Sequence, residues 1–215
     1  MKIKGKREKT GIMEYNDGTK YEGEWNNDKK HGKGTFTATV TNNNHNLILI
    51  KYIGDFVNNK KEGKGIAIYS NGDKYEGEWK NNKQYGKGIV IYSSGGKYEG
   101  DWADGKFNGL GIYYLRNGEK YEGKFVDNRY TGYGKFYHIN GDILEGIFIN
   151  DQPNGKGIII LNDGIYKGKL KDSKKEGNGK MDYKNGDKYE GEFKNNKKKM
   201  IPPYLYIKMG KNLHK

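Results

Sequence analysis

Large apolar and charged side chains alternate through Tyr75–Trp79, a Tyr-Glu-Gly-Glu-Trp phrase, and its counterparts at Tyr98 and Tyr121 follow at steps of 23 residues. Alternation with period two marks a strand with one face buried. Behind each phrase comes a Gly-x-Gly pair, such as Gly86/Gly88, and then a run rich in Ile, Val and Tyr, as in Ile66–Tyr69 and Ile89–Tyr92. Such residues suit a second strand. The dipeptides Asn71-Gly72, Asn117-Gly118, Asn140-Gly141 and Asn185-Gly186 then reverse the chain, because glycine takes the positive φ that tight hairpins need. Each unit thus predicts a strand, a loop of about six residues and a second strand, in an array where every unit leans on its neighbours. The fold class expected is all-β: a single-layer, elongated antiparallel sheet of stacked 23-residue β-hairpins.

Aligned on their first aromatic, the units start at Tyr21, Tyr52, Tyr75, Tyr98, Tyr121, Leu144, Tyr166 and Tyr189. A glycine stands two residues in, from Gly23 to Gly191, and a large apolar residue four in: Trp25, Phe56, Trp79, Trp102, Phe125, Phe148, Leu170 and Phe193. This spacing resembles that of the MORN repeat (membrane occupation and recognition nexus) over about residues 10–199. A basic segment, residues 1–9, precedes the array, which opens on a half repeat. The gap from Tyr21 to Tyr52 is 31 residues, so a longer hairpin is expected at 35–51. Residues 200–215 leave the pattern and form a C-terminal cap or a tail; Pro202-Pro203 suit a cap over the last strand edge, since proline cannot continue a ladder.

The turn register decides which residues share a face. A three-residue turn with a glycine bulge unites Tyr75, Gly77, Trp79, Gly88, Val90 and Tyr92; a two-residue turn brings Ile89 and Ile91 to that face instead. The first is preferred because it sets the aromatics beside the glycines. Ile66, Ile68, Ile89, Ile91, Ile158 and Ile160 then form a second apolar row on the opposite face, a surface for a homodimer.

Composition changes the picture in two ways. Hydrophobic residues are 33% and charged residues 31% of the chain, with a mean hydropathy of -1.09, which by itself suggests disorder. The 19 Tyr and 34 Gly, placed periodically, argue instead for order without a thick core. The formal charge of +13 invites an anionic partner, whether acidic lipid, nucleic acid or acidic protein. There is no cysteine, which removes disulfides and thiolate metal sites and fits a cytoplasmic location. No apolar run approaches a membrane span, and neither a secretory leader nor a lipidation motif is legible.

Chemistry is hard to place. His31, His45, His138 and His214 lack ligand spacing. Glu22, Glu76, Glu99, Glu122 and Glu190 recur with a lysine two residues earlier, which reads as a solvated charge ladder rather than an acid–base pair. Gly-x-Gly without a following Lys-Ser/Thr is no phosphate loop. No catalytic residue, metal site or cofactor is therefore assigned, and no enzyme activity. The candidate site is the aromatic and glycine stripe, with Tyr52, Phe56, Tyr75, Trp79, Tyr98, Trp102, Tyr121 and Phe125 lining a groove for a peptide or helix. Lys194, Lys197, Lys198 and Lys199 are the candidate lipid contacts. The resemblance implies a scaffold between membrane and cytoskeleton. Its alternatives are a peripheral binder of anionic phospholipids such as phosphoinositides, or a regulatory repeat region related to phosphoinositide kinases. Nucleic-acid binding is not expected, because the aromatics are committed to packing.

Overall fold

The computed structural model describes residues 9–38 and 49–199. Residues 1–8, the middle of the longer hairpin (39–48) and the C-terminal segment with Pro202-Pro203 lie outside the described residues. Seventeen antiparallel strands and no helix occur among those described. They fall into two units, Met1–Thr131 and Gly132–Lys215. Within each unit every strand pairs with the one before and the one after, a single-layer meander.

The repeat beginning at Tyr75 shows how local chemistry sets this pattern. Strand Lys74–Lys80 pairs with Lys83–Ile91, placing Tyr75 opposite Val90 and Gly77 opposite Gly88; a bulge then shifts the register, so that Trp79 faces Gln84. Asn81 and Asn82 join the strands at φ +49° and +69°, a two-residue turn with both central residues left-handed, which matches the twist of the flanking strands. The six-residue loop expected here is therefore replaced by a tight turn and a bulge. Asn and Asp tolerate the left-handed region through local hydrogen bonding. Asn58-Asn59 and Asp127-Asn128 in the first unit do the same, as do Asn150-Asp151 and Asn195-Asn196 in the second.

The hairpin on the other side uses three turn residues. The Gly95 N–H donates to the Tyr92 carbonyl at 3.0 Å and the Tyr92 N–H to the Gly96 carbonyl at 3.2 Å, with Gly95 at φ +93°. That is the preferred register. Tyr75, Gly77, Gly88 and Val90 share one face, and Ile89 and Ile91 the other. From Leu144 to Tyr166 the spacing is 22 residues, and the corresponding turn tightens to Asn162-Asp163, with Leu161 opposite Gly164.

Paired glycines are required by close approach. A Cβ on Gly77 would lie 2.5 Å from the Cα of Gly88, and one on Gly88 would fall within the phenol of Tyr75, 2.7 Å from Cε2. The tyrosine ring lies flat over backbone that carries no side chain, so one sheet layer buries a whole aromatic residue.

Candidate functional site

The first unit carries an unbroken aromatic row on one face. Tyr21, Tyr52, Tyr75, Tyr98 and Tyr121 are fully buried, and Trp25, Phe56, Trp79, Trp102 and Phe125 are no more than 6% exposed. Tyr21, Tyr52, Tyr75 and Tyr98 each sit edge to face between the large apolar residue of their own repeat and that of the next. Tyr52 meets Phe56 at 5.0 Å and Trp79 at 5.2 Å; Tyr75 meets Trp79 at 5.1 Å and Trp102 at 5.0 Å; Tyr98 meets Trp102 at 5.4 Å and Phe125 at 5.0 Å; Tyr121 meets Phe125 at 5.2 Å. This geometry favours the ring quadrupoles. All eight predicted groove residues thus lie in one row, and their side chains are packed mainly against one another.

The polar ends of these rings hold the bulges. Tyr75 Oη donates to the carbonyl of Glu78 at 2.9 Å, and Tyr52 and Tyr98 do the same to Asp55 and Asp101 at 3.1 and 2.8 Å. Trp79 Nε1 donates to the Gly65 carbonyl at 3.2 Å and Trp102 Nε1 to that of Gly88 at 3.1 Å. Burial holds the tyrosine hydroxyls well above the ordinary phenol range, with Tyr21 pushed up to about 12.

What solvent meets along this face is a rim of which the preferred register named only Tyr92. Tyr92 and Tyr113 are half-buried with ring centroids 6.4 Å apart. Tyr69 Oη accepts from Gln84 Nε2 at 2.9 Å. Lys61 Nζ lies 4.1 Å from the Trp79 ring centroid, a cation over a π face. Its burial brings its pKa down to about 8.

The opposite face is charged. Lys74, Lys97 and Lys120 pair with Glu76, Glu99 and Glu122 along their own strands at 3.3, 2.7 and 3.4 Å. Exposed pairs of this kind stabilise little. Ile66 and Ile89 stand opposite Glu76, and Ile68 and Ile91 opposite Lys74, so each repeat interrupts the isoleucine row with charge. A third set of acids has a structural task. Glu24, Asp55, Glu78 and Asp101 accept the backbone N–H of the bulged residues Lys33, Lys64, Lys87 and Leu110 at 2.7–3.0 Å. Finding them in the sequence requires knowing where the bulge falls.

Among the four C-terminal lysines, Lys198 Nζ lies 4.6 Å from the Tyr183 ring centroid and Lys199 is paired with Glu192 at 2.7 Å. Lys194 and Lys197 face each other across the last turn and are exposed. Among the described residues no three His, Asp or Glu side chains gather to hold a metal ion.

The family model described as MORN repeat matches residues 21–39, 52–74, 75–97, 98–120, 121–143, 145–165, 166–188 and 189–200. None of the curated proteins matches the chain in sequence. Several solved structures are similar to it, two of them as follows. One is the SAS-4 (dCPAP) TCP domain of Drosophila melanogaster in complex with a proline-rich motif of Ana2 (dSTIL), at 13% identity and a TM-score of 0.42, covering 86% of this chain and 90% of that one. The other is the G-box domain of the microcephaly protein CPAP, at 10% identity and a TM-score of 0.48, covering 86% of this chain and 99% of that one. With eight matched segments spread over most of its length, the chain belongs to the MORN-repeat family.

Proposed function

We propose that this protein is a non-enzymatic scaffold whose first unit holds a segment of a partner protein against its aromatic face, at a junction of membrane and cytoskeleton in the cytoplasm. The observation that carries the reading is the one-layer build of that unit. An apolar face of interlocked rings runs across successive repeats, and no other strand or helix described in the unit lies over it. In this reading Tyr52, Phe56, Tyr75, Trp79, Tyr98, Trp102, Tyr121 and Phe125 form the rigid floor. The half-buried Tyr69, Tyr92 and Tyr113, with Lys61 and Gln84, supply the grip. A preformed floor limits the ordering cost that binding must overcome. The membrane–cytoskeleton setting rests on family membership alone.

The test is capture of partners from cells on the immobilised full chain, with Tyr92→Ser and Gln84→Arg as rim variants whose folding is checked by circular dichroism. Loss of the same partner from folded variants supports the reading; unchanged recovery contradicts it. The alternative, anionic-lipid binding, leans on Lys194 and Lys197, since Lys198 and Lys199 have partners within the chain. Flotation with acidic vesicles at two salt concentrations separates the two, because lipid attraction of this type is screened by salt.

A further inference from the structure

The charged face of the second unit departs from the repeat in a way that points to a ligand. In the repeats that open at Tyr21, Tyr52, Tyr75 and Tyr98 the bulge is filled by the chain's own carboxylate. A Cβ built on Gly86 would lie 2.5 Å from Glu78 Oε2, and one on Gly63 would lie 2.7 Å from Asp55 Oδ2. The glycine and the following N–H therefore form a cradle for a carboxylate oxygen, closed by charge-assisted hydrogen bonding. The next three repeats carry Lys124, Ile147 and Lys169 at the acid's place, the last two of them in the second unit, and only the final repeat returns to an acid, Glu192. The cradle of Gly155 and Lys156 keeps its left-handed glycine, φ +86°, yet no atom lies within 4 Å of the Cβ position on Gly155. Among the described residues no side chain accepts from the Lys156 N–H or from that of Asn178, which follows Gly177 in the next repeat, where the flexible stem of Lys169 lies 3.4 Å from the Cβ position on Gly177.

These two positions open into one groove of about 860 Å³ whose lining includes Tyr133, Ile158, Lys156, Lys167 and Lys169. The three lysines are exposed, and no acid within the described residues pairs with them. The two carboxylates at the groove's margin, Glu145 and Glu192, are paired already with Lys135 at 3.1 Å and Lys199 at 2.7 Å. N–H groups without a side-chain acceptor, exposed cations and an apolar shelf thus face the same space.

We propose that this groove binds the carboxylates of an acidic, extended segment of a partner protein, which supply from outside what Glu78 and Asp101 supply from within. Charge complementarity selects the occupant, and strand spacing sets its pattern. The open cradle at Gly155 and the one at Gly177, reached when the flexible Lys169 stem moves aside, lie two strands apart, about 9.6 Å. A three-residue-per-turn extended helix advances about 9.3 Å in three residues and returns its side chain to the same side. The segment therefore carries an acidic residue at every third position, with the intervening residues over Tyr133 and Ile158. This rests on the reading of the chain as a protein-binding scaffold but uses a different face and unit.

The experiment is fluorescence anisotropy of the full chain with a labelled peptide of repeated Glu-Pro-Pro, against its Gln-Pro-Pro counterpart. Ile147→Glu restores the repeat's own acid; Ile139→Glu, at a turn residue 74% exposed, makes the same change of charge elsewhere. The Glu peptide is expected to bind, and the Gln peptide to bind at least about tenfold more weakly, the loss of one charge-assisted hydrogen bond. Ile147→Glu should weaken the Glu peptide about tenfold or more without lowering the melting temperature, while Ile139→Glu leaves affinity near wild type. Equal affinity for the two peptides, equal weakening by both variants, or no peptide binding overturns the proposal. Binding to phosphatidylserine vesicles or to inorganic phosphate in place of the peptide also overturns it. If the peptide fails while rim variants still lose their captured partner, only this inference falls; the converse pattern removes the aromatic-face reading instead.

Discussion

Tyr75→Phe isolates the bond on which each repeat turns. The ring stays, with its edge-to-face contacts to Trp79 and Trp102, so no cavity opens. What is lost is the hydrogen bond from Oη to the Glu78 carbonyl at 2.9 Å. That carbonyl sits at the bulge, where the register shift between Gly77 and Glu78 breaks the ladder, and it is left part-buried without its donor. An abandoned buried acceptor costs about 1–3 kcal/mol, and some solvent access should bring the effect to about 1–2 kcal/mol. Equilibrium urea unfolding monitored by tryptophan fluorescence measures it directly, since Trp79 and Trp102 flank the site. Tyr114→Phe is the control: Tyr114 is 38% exposed, and its change should remain within about 0.5 kcal/mol. A Tyr75→Phe variant as stable as its control would refute the assignment of the hydroxyl to bulge stabilisation.

Other consequences can be measured alongside. The buried tyrosines titrate above the ordinary phenol range, Tyr21 at about 12, so their contribution is complete below about pH 10 and lost as pH rises through the folded-state values; alkaline titration should show tyrosinate appearing together with unfolding rather than before it. Lys61 has the opposite sign. Its folded pKa of about 8 lies below the free value of 10.5, so the unfolded chain binds the extra proton between them and this group makes stability rise with pH from about 8 to 10; Lys61→Met should be more stable at neutral pH and should flatten that rise in melting temperature. Asn81 sits at φ +49°, so Asn81→Ala should destabilise by about 1 kcal/mol and Asn81→Gly should not, as read from thermal unfolding.

The sequence carries the aromatic architecture plainly because one rule repeats. The residues opposite Tyr75, Gly77 and Val90 are legible from glycine pairing and period-two alternation, and the three-residue turn at Tyr92–Gly96 follows from the wish to unite them. Two features were hidden. Asn81-Asn82 is a turn signal only through its left-handed backbone, and in a chain rich in lysine and asparagine it looks like ordinary loop composition. Glu78 and Asp101 look like further members of the surface ladder of Glu76 and Glu99; only the bulge turns an N–H toward them and gives them a task. That the groove aromatics pack on one another is legible in the sequence; that each of Tyr52, Tyr75 and Tyr98 is covered by the next repeat's large residue, as Tyr75 is by Trp102, needs the register between repeats. Ile147 and Lys169 carry no meaning until that role is known.

The claim that most needs testing is that a partner segment lies on the aromatic face of the first unit. Hydroxyl-radical footprinting of the full chain, free and in complex with its captured partner, addresses it residue by residue. The account predicts protection of Tyr69, Tyr92 and Tyr113 in the complex, with the buried floor of Tyr75 and Tyr98 unchanged. Equal modification of the three rim tyrosines in the free and bound chain, with protection elsewhere, would contradict it.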